Sequence, residues 1–512
     1  MTTSLNRTSW WFKCKQTSQR IHQASPLYHL ILYGRAPDGL VITPTDPWPG
    51  DIVKGTTLLE GHFVLGPHVI TFNQLWLPKT VGAKHLGQLH GFEWLRDLRG
   101  VGDNAARRLA RQLISHWIVT NKQWRSFSWQ PTILGDRITH WLSLYDFFGA
   151  SADAAFHESF FKSLTRQVKH LQRLYPLLQT PFEQHCALKA LIFSNVALSN
   201  DSAQLPRYLA AVIACLKAQI DDNGCHVSRT PEMQLRILKD LIDLRSLLHT
   251  TTQNFPIALQ QIIEKITPTI RLMRHGDGGL AAFGAPVTQT ASAAIDMALS
   301  LSDVKGRSPS TGTTMQFIRL QRSQPKNILV FMNVGLPQAS IADDSLTHLN
   351  FEWSIGKERV IVQSDIIFEN RAGFIDRQGN TQSQLHNQEG HQLIEAAYET
   401  KSFTHQRQIY LAPSLTDIRG SEKIESSKAA LIKLRFLLAP QIKVAIIRSG
   451  QSAVLQLKNG QSWRFHVSGA TDVTCETIML QGPLYTSSQA LILNAAIHKK
   501  NPAIIKWAFR TA

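Results

Sequence analysis

GDGGLAAFGAP (276–286), followed by the polar stretch SDVKGRSPSTGTT (302–314), is where the chain changes texture, and that change decides its fold class. Upstream, from about residue 90 to 300, apolar residues recur at helical spacing between breakers. The pattern predicts helices over 102–120, 133–149, 153–175, 183–199, 204–221, 231–249, 256–273 and 288–302. Pro131, Pro176, Pro181, Pro256 and the run Asp221-Asp222-Asn223-Gly224 separate them. Turns this short make neighbouring helices pack antiparallel, as helical hairpins in series. No fixed period repeats, which argues against a strict solenoid and leaves a ring or a layered array of hairpins open.

Downstream, the chain breaks into short β-prone runs: FIRL (317–320), NILVFMNVG (327–335), LNFEWSIG (349–356), RVIVQSD (359–365), QRQIYLAP (406–413), KVAIIRSG (443–450), SAVLQLKNG (452–460) and SWRFHVSG (462–469). Alternation along these runs, with turns such as Lys458-Asn459-Gly460, predicts hairpins gathered into a sandwich. Residues 36–80 carry Pro and Gly punctuation and read as an irregular entry segment packed on the helical domain. The expected fold is therefore α+β and multidomain: an N-terminal segment (1–89), a helical domain (90–310) and an antiparallel β-sandwich (311–512).

Composition bounds the partners. At 512 residues, 43% hydrophobic and 18% charged, the chain exceeds one ordinary core and is not of disordered type. A formal charge of +17 favours anionic partners without choosing among nucleic acid, acidic glycan and acidic lipid, and part of the surplus is also what a solvated surface carries. No zinc finger, helix-turn-helix or RNP-like aromatic motif supports nucleic acid. Cys14, Cys186, Cys215, Cys225 and Cys475 are too few and too widely spaced for a disulfide framework or a metal knuckle, so buried thiols are expected. No cofactor motif is present, and no cofactor is expected. The first residues lack the apolar run of a secretory signal, and no stretch of about 18 apolar residues occurs further along. On sequence alone the protein is unexported and spans no membrane.

GCHVSRTP (224–231), RLMRHGDGGLAAFGA (271–285), LNFEWSIGKERVIV (349–362), HQRQIYLAPSLTDIRGSEKI (405–424) and SWRFH (462–466) occur in an order that resembles the heparinase II/III family of polysaccharide lyases. The resemblance covers most of the chain. It implies an incomplete α/α toroid followed by an antiparallel β-sandwich, with an active site in the cleft between them. It also implies β-elimination on an acidic, uronate-containing polysaccharide, and a place in the cell envelope or periplasm, which conflicts with the absent export signal. Such chemistry needs donors that neutralise the sugar carboxylate, a base for the C5 proton and an acid for the leaving oxygen.

Carried over residue by residue, the resemblance makes His185, His226 and His405 the catalytic candidates, and Gln184, Arg229, His275 and Arg407 the substrate-binding ones. Gln184 stands where relatives often carry Asn, and with His185 it equally suits a ligand-free helix start. His226 and Arg229 place two donors in one short turn ahead of Pro231. His275 and Asp277 sit in a Gly-rich turn that is as well suited to a structural role. His405 and Arg407, two apart on a strand, share a face, which is either turned to an anion or simply to solvent.

Three positions depart from the family pattern. Met233 stands where relatives have a Tyr, while Ser345 and Gln382 stand where they have His. Three residues beyond Ser345, His348 would face the other way on a regular strand. His386 and His391 are close in sequence to Gln382, and nothing in the sequence brings them to the site. The structural zinc of some relatives would here lack part of its ligand set, so no metal is expected. Two functions remain open from the residues, an acidic-polysaccharide lyase and a non-catalytic glycan-binding member of the same family.

Overall fold

The computed structural model describes residues 25–66, 68–72, 75–76, 81–198, 203–251, 254–283, 291–306, 312–313, 317–322, 327–335, 345–346, 348–368, 379–414, 416–447, 450–480, 486–499 and 501–512. Two compact units emerge: one runs to residue 219 and includes 240–262, the other holds 220–239 and everything from 263 onward. The second unit therefore takes in stretches that the sequence boundary near 310 assigned to the helical domain. That boundary and Cys14 lie outside the described residues.

The first unit is helical. Its starts are chemically marked: the side chains of Asp51, Asp103 and Asp153 accept from backbone amides of the first turns they precede. The helices Pro131–Ser143 and Pro181–Leu198 begin on proline, whose missing N–H is no loss in a first turn. Asn104–Thr120, Ala154–Leu174 and Leu205–Lys217 complete the array that the periodicity predicts. The entry segment is less irregular than its Pro and Gly content suggests. It holds the helices Pro26–Leu32 and Ile52–Leu59 and a hairpin, His62–Leu65 with His68–Thr71. Helices of seven and eight residues are too short to show a period, which hides them from sequence. Trp117, Trp141, Phe92, Phe148 and Phe160 form the aromatic centre, with Trp117 and Trp141 edge to face at 5.5 Å.

The second unit is dominated by two antiparallel sheets. In the eight-stranded sheet the order is Lys443–Ile447, Ser452–Gln456, Ser462–Ser468, Ala503–Thr511, Asp417–Ser426, Phe403–Leu411, His391–Glu399 and Asn380–Gln388. The nine-stranded sheet runs Asp472–Leu480, Thr486–Ile497, Ala430–Leu438, Glu358–Phe368, Phe351–Ile355, Ile328–Asn333, Phe317–Arg322 and Gly312–Thr313, with Ser345–Leu346 beside Glu358–Phe368. Period-two alternation gives each sheet an apolar face, and one continuous core joins the two faces. Across it Phe351 stacks on Trp507 at 5.2 Å, and Trp353 meets Trp463 edge to face at 5.0 Å. The Lys458-Asn459-Gly460 turn joins Ser452–Gln456 to Ser462–Ser468 as an antiparallel hairpin, Gly460 taking a φ of 82°. Cys186, Cys215 and Cys225 are buried and in no disulfide. No helix among the described residues is long and apolar enough to cross a membrane.

Candidate functional site

The turn 224–231 is held from several sides. The Asp221 carboxylate accepts from Cys225 N at 2.8 Å, and Gln234 Oε1 accepts from His226 N at 2.7 Å. Gly224 has a φ of 76°, and a Cβ there would meet Lys265 O at 2.2 Å, so only glycine fits. Within this frame His226 Nδ1 accepts from Ser228 N at 3.0 Å and lies 2.7 Å from Ser228 Oγ. An acceptor Nδ1 assigns the neutral ring's proton to Nε2. His226 is thereby set up as a donor. Arg229 comes next with a φ of 56°, a left-handed backbone that a non-glycine residue holds at roughly 1–2 kcal/mol. Its guanidinium lies against Gly335, where a Cβ would meet Nη1 at 2.7 Å, and burial lowers its pKa. Met233, the third residue of the helix that Pro231 begins, is half-buried.

His275 is placed otherwise. Its Nε2 lies 3.0 Å from Glu352 Oε2 and its Nδ1 3.0 Å from Ser354 Oγ, so both ring nitrogens are engaged by the strand Phe351–Ile355. Glu352 Oε1 accepts from the backbone amides of Ala282 and Phe283, each at 2.7 Å. The neighbouring Asp277 accepts from Arg359 Nε at 2.8 Å. Burial, reinforced by the positive Arg359, lowers the His275 pKa against the pull of Glu352. The loop's histidine is thus a buried tie between loop and sheet, the structural role that the sequence left open beside substrate binding.

His405 and Arg407 do share one face of Phe403–Leu411, and that face is the sandwich interior. His405 Nε2 donates to Glu422 Oε2 at 2.7 Å, and its Nδ1 stands 3.2 Å from His348 Nε2. Arg407 Nε donates to both Glu422 oxygens at 2.9 Å, and its Nη1 donates to Leu349 O and Ser364 Oγ, each at 2.6 Å. Trp507 Nε1 also donates to Glu422, at 2.9 Å. Burial would raise the Glu422 pKa, but Arg407 and His405 override it and hold the carboxyl at about 2. Burial lowers His405, and burial together with the neighbouring His405 and the positive Arg407 holds His348 well below the usual imidazole range. The consistent tautomers pass a proton-bearing Nε2 from His348 to His405 and from His405 to Glu422. No lone pair of His405 remains for a substrate proton.

His348 therefore meets His405 although strand parity from Ser345 argues against it. The residues 348–351 do not continue a regular strand: Leu349 has a φ of 53°, which breaks the alternation and turns its carbonyl to Arg407. These residues do not fit a structural metal. Both Glu422 oxygens are taken by cationic and neutral donors, and the Arg407 guanidinium already supplies positive charge against them. Among the described residues no group of three or more His, Cys, Asp and Glu is arranged to hold a metal ion.

Gln184 and His185 belong to the helical unit. His185 is fully buried with Nε2 2.9 Å from Asp240 Oδ2. Lys189 bridges Asp240 and Asp243, its Nζ 2.6 Å from Asp243 Oδ2, and Trp48 Nε1 donates to Asp243 Oδ1 at 2.6 Å. Burial would lower the Lys189 pKa, yet the two carboxylates raise it. Gln184 Nε2 donates to Leu178 O at 2.9 Å. The pair is built into a helix-packing network, the structural alternative that the sequence left open. Gln382 is exposed on the edge strand, opposite Ala397, and His386 on the same strand pairs with Glu395 at 2.9 Å.

Sequence reading passed over Glu352, Glu422, Asp240, Asp243 and Lys189, the partners that immobilise its candidates. Glu422 was detectable in principle. It alternates in phase with Ile418, Gly420 and Ile424, so it lies on the apolar face, where an unpaired acid is not tolerated.

Helices followed by an antiparallel two-sheet sandwich place the chain in the helical-toroid-and-sandwich fold class. Residues 369–507 match the family described as "Heparinase II/III-like, C-terminal". In fold the chain is similar to "Crystal Structure of Heparinase III", with a TM-score of 0.67 and 12% identity over 85% of this chain and 78% of that one. It is also similar to heparan sulfate lyase HepC from Pedobacter heparinus, with a TM-score of 0.55 and 14% identity over 94% of this chain and 87% of that one. Among curated proteins, "FtsZ-localized protein C" of Caulobacter vibrioides (strain NA1000 / CB15N) is 23% identical, covering 93% of this chain and 91% of the relative. The likeness to the heparinase II/III-like family thus lies in residues 369–507, and the likeness to heparinase III is one of fold.

Proposed function

We propose that this protein binds a uronate-containing polysaccharide and does not cleave it. The carrying observation is the state of its histidines. His185, His275 and His405 are sealed against carboxylates inside packed units, and Met233 cannot exchange a proton. Elimination needs a base and an acid at the sugar. The turn 224–231 carries donor chemistry, the half-buried Arg229 guanidinium beside a buried His226 whose Nδ1 already accepts from Ser228. Those groups suit a carboxylate that is held rather than activated.

The test incubates the full chain with heparin and with polygalacturonate. Binding is expected without the ultraviolet absorbance of an unsaturated product, and Arg229→Ala is expected to weaken it about tenfold, the loss of one charge-assisted hydrogen bond. Appearance of unsaturated product would overturn the reading in favour of an active lyase. A second reading concerns place in the cell and is favoured by the near full-length likeness to FtsZ-localized protein C. On that reading this chain is FtsZ-localised as well. A fluorescent fusion would gather with FtsZ, and a signal indifferent to FtsZ would sink it.

A further inference from the structure

The outward face of the eight-stranded sheet is not a featureless solvated surface. The register sets Leu393, Tyr410, Arg419, Ala508 and His466 side by side on five successive strands. The next row places Glu395, Gln408, Ser421, Lys506 and Ser468 side by side. At about 4.8 Å per strand, each row spans roughly 19 Å. Ala508 is the smallest side chain of its row, flanked by Arg419 on one side and His466 on the other. The space it leaves is a shallow groove of about 410 Å³.

The groove's chemistry is selective. Arg419, Lys506 and His466 line it, and no Asp or Glu does. Arg419 is held by Asp417, its Nε donating to Oδ2 at 2.6 Å, but Arg510 Nε approaches the same oxygen at 3.5 Å. Two guanidiniums thus share one carboxylate, and positive charge is left over. Arg419 and Lys506 are diagonal neighbours across paired strands, roughly 7–8 Å apart. Tyr410 forms one wall, its ring braced by His391, which stacks at 5.8 Å with Nδ1 2.5 Å from the phenol oxygen. The Arg419 guanidinium lies 6.0 Å from the Tyr410 ring centroid. Gln408 adds a planar amide.

We infer that this groove is a binding platform for a segment of acidic polysaccharide. Spaced cations meet the carboxylates of successive sugars, the Tyr410 ring takes an apolar sugar face, and the amide and serine hydroxyls meet hydroxyl groups. The inference rests on the glycan-binding reading and assigns it a second surface, separate in sequence and position from the turn 224–231. A sheet face rich in amide and hydroxyl groups, where Tyr410 is the one phenol ring and Trp507 is buried beneath, favours a polyhydroxylated chain. Nucleic acid would call for several stacking rings in succession.

The test uses the full chain, heparin oligosaccharide as probe and titration calorimetry as readout. Ala508→Trp fills the groove without changing charge, and Lys506→Glu reverses one exposed cation. Each is expected to lower affinity about tenfold with the thermal melt unmoved. Dextran, uncharged, should not bind. If wild type binds heparin and both variants bind as tightly, the platform is wrong and the glycan-binding reading survives. If wild type binds no uronate polymer, the glycan-binding reading itself fails. If single-stranded DNA displaces heparin and its own binding is lost in Ala508→Trp, the groove takes nucleic acid and the assigned occupant is overturned.

Discussion

Strand Phe403–Leu411 carries two different surfaces. Toward the sandwich interior it presents His405 and Arg407, each fully buried and bonded to Glu422; toward solvent it presents Gln406, Gln408 and Tyr410. Inside, two cation-capable groups require a carboxylate, and Glu422 answers both while also accepting from Trp507. Outside, water and neighbouring side chains satisfy the polar groups, and the residues stay available to a ligand. Functional residue types on a strand are therefore read correctly only once their face is known.

The sharpest way to break this contrast is Glu422→Ala. Removing the carboxylate leaves Arg407 buried without its counter-ion, and such losses destabilise by about 3–5 kcal/mol. Urea denaturation followed at the sandwich's tryptophans would read it. A change below about 1 kcal/mol would mean the interior tolerates the unpaired cation. The same group sets a pH dependence. Its folded pKa of about 2 lies below the 4.5 of a free Glu, so its contribution is fully present above pH 4.5 and is lost as pH falls toward 2. About 3 kcal/mol should disappear over that window and be absent from the Glu422→Gln profile.

His275→Leu is expected to be milder. It deletes two buried hydrogen bonds, but Glu352 keeps the amides of Ala282 and Phe283 and the nearby Arg359. A loss of about 1–3 kcal/mol should appear in the same denaturation series. Because the tie joins the loop 275–283 to the strand Phe351–Ile355, hydrogen exchange should quicken at Ala282 and Phe283 before the rest of the sheet. Uniform exchange would show that the loop is held elsewhere.

The fold was largely legible because helix and strand periods survive in a single sequence. Predicted helices at 153–175 and 231–249 stand against observed Ala154–Leu174 and Pro231–His249. Strands such as His391–Glu399 and Asp417–Ser426 were missed where charged and amide residues on the outer face dilute the apolar alternation. The candidate site was legible in residue type and poorly legible in role. His226 and Arg229 share a turn because a few residues of chain place them there. His348 and His405, by contrast, meet only through a left-handed Leu349 and the packing of two sheets. Long-range polar partnerships of this kind leave no local periodic trace.

The smallest expected effect lies on the outer face and is the most informative about the groove. Gln408 donates to Glu395 Oε1 at 2.6 Å on an exposed surface. Gln408→Ala should therefore change stability by no more than about 0.5 kcal/mol, as surface substitutions generally do. A larger loss would show that the outer face is itself structural, and its amides would no longer count as spare binding groups. If the stability holds and heparin affinity falls two- to threefold, the two faces of the sheet separate cleanly into one that keeps the fold and one that meets the ligand. Equal affinity would confine recognition to Arg419 and Lys506, making the groove an electrostatic contact without sugar-hydroxyl recognition.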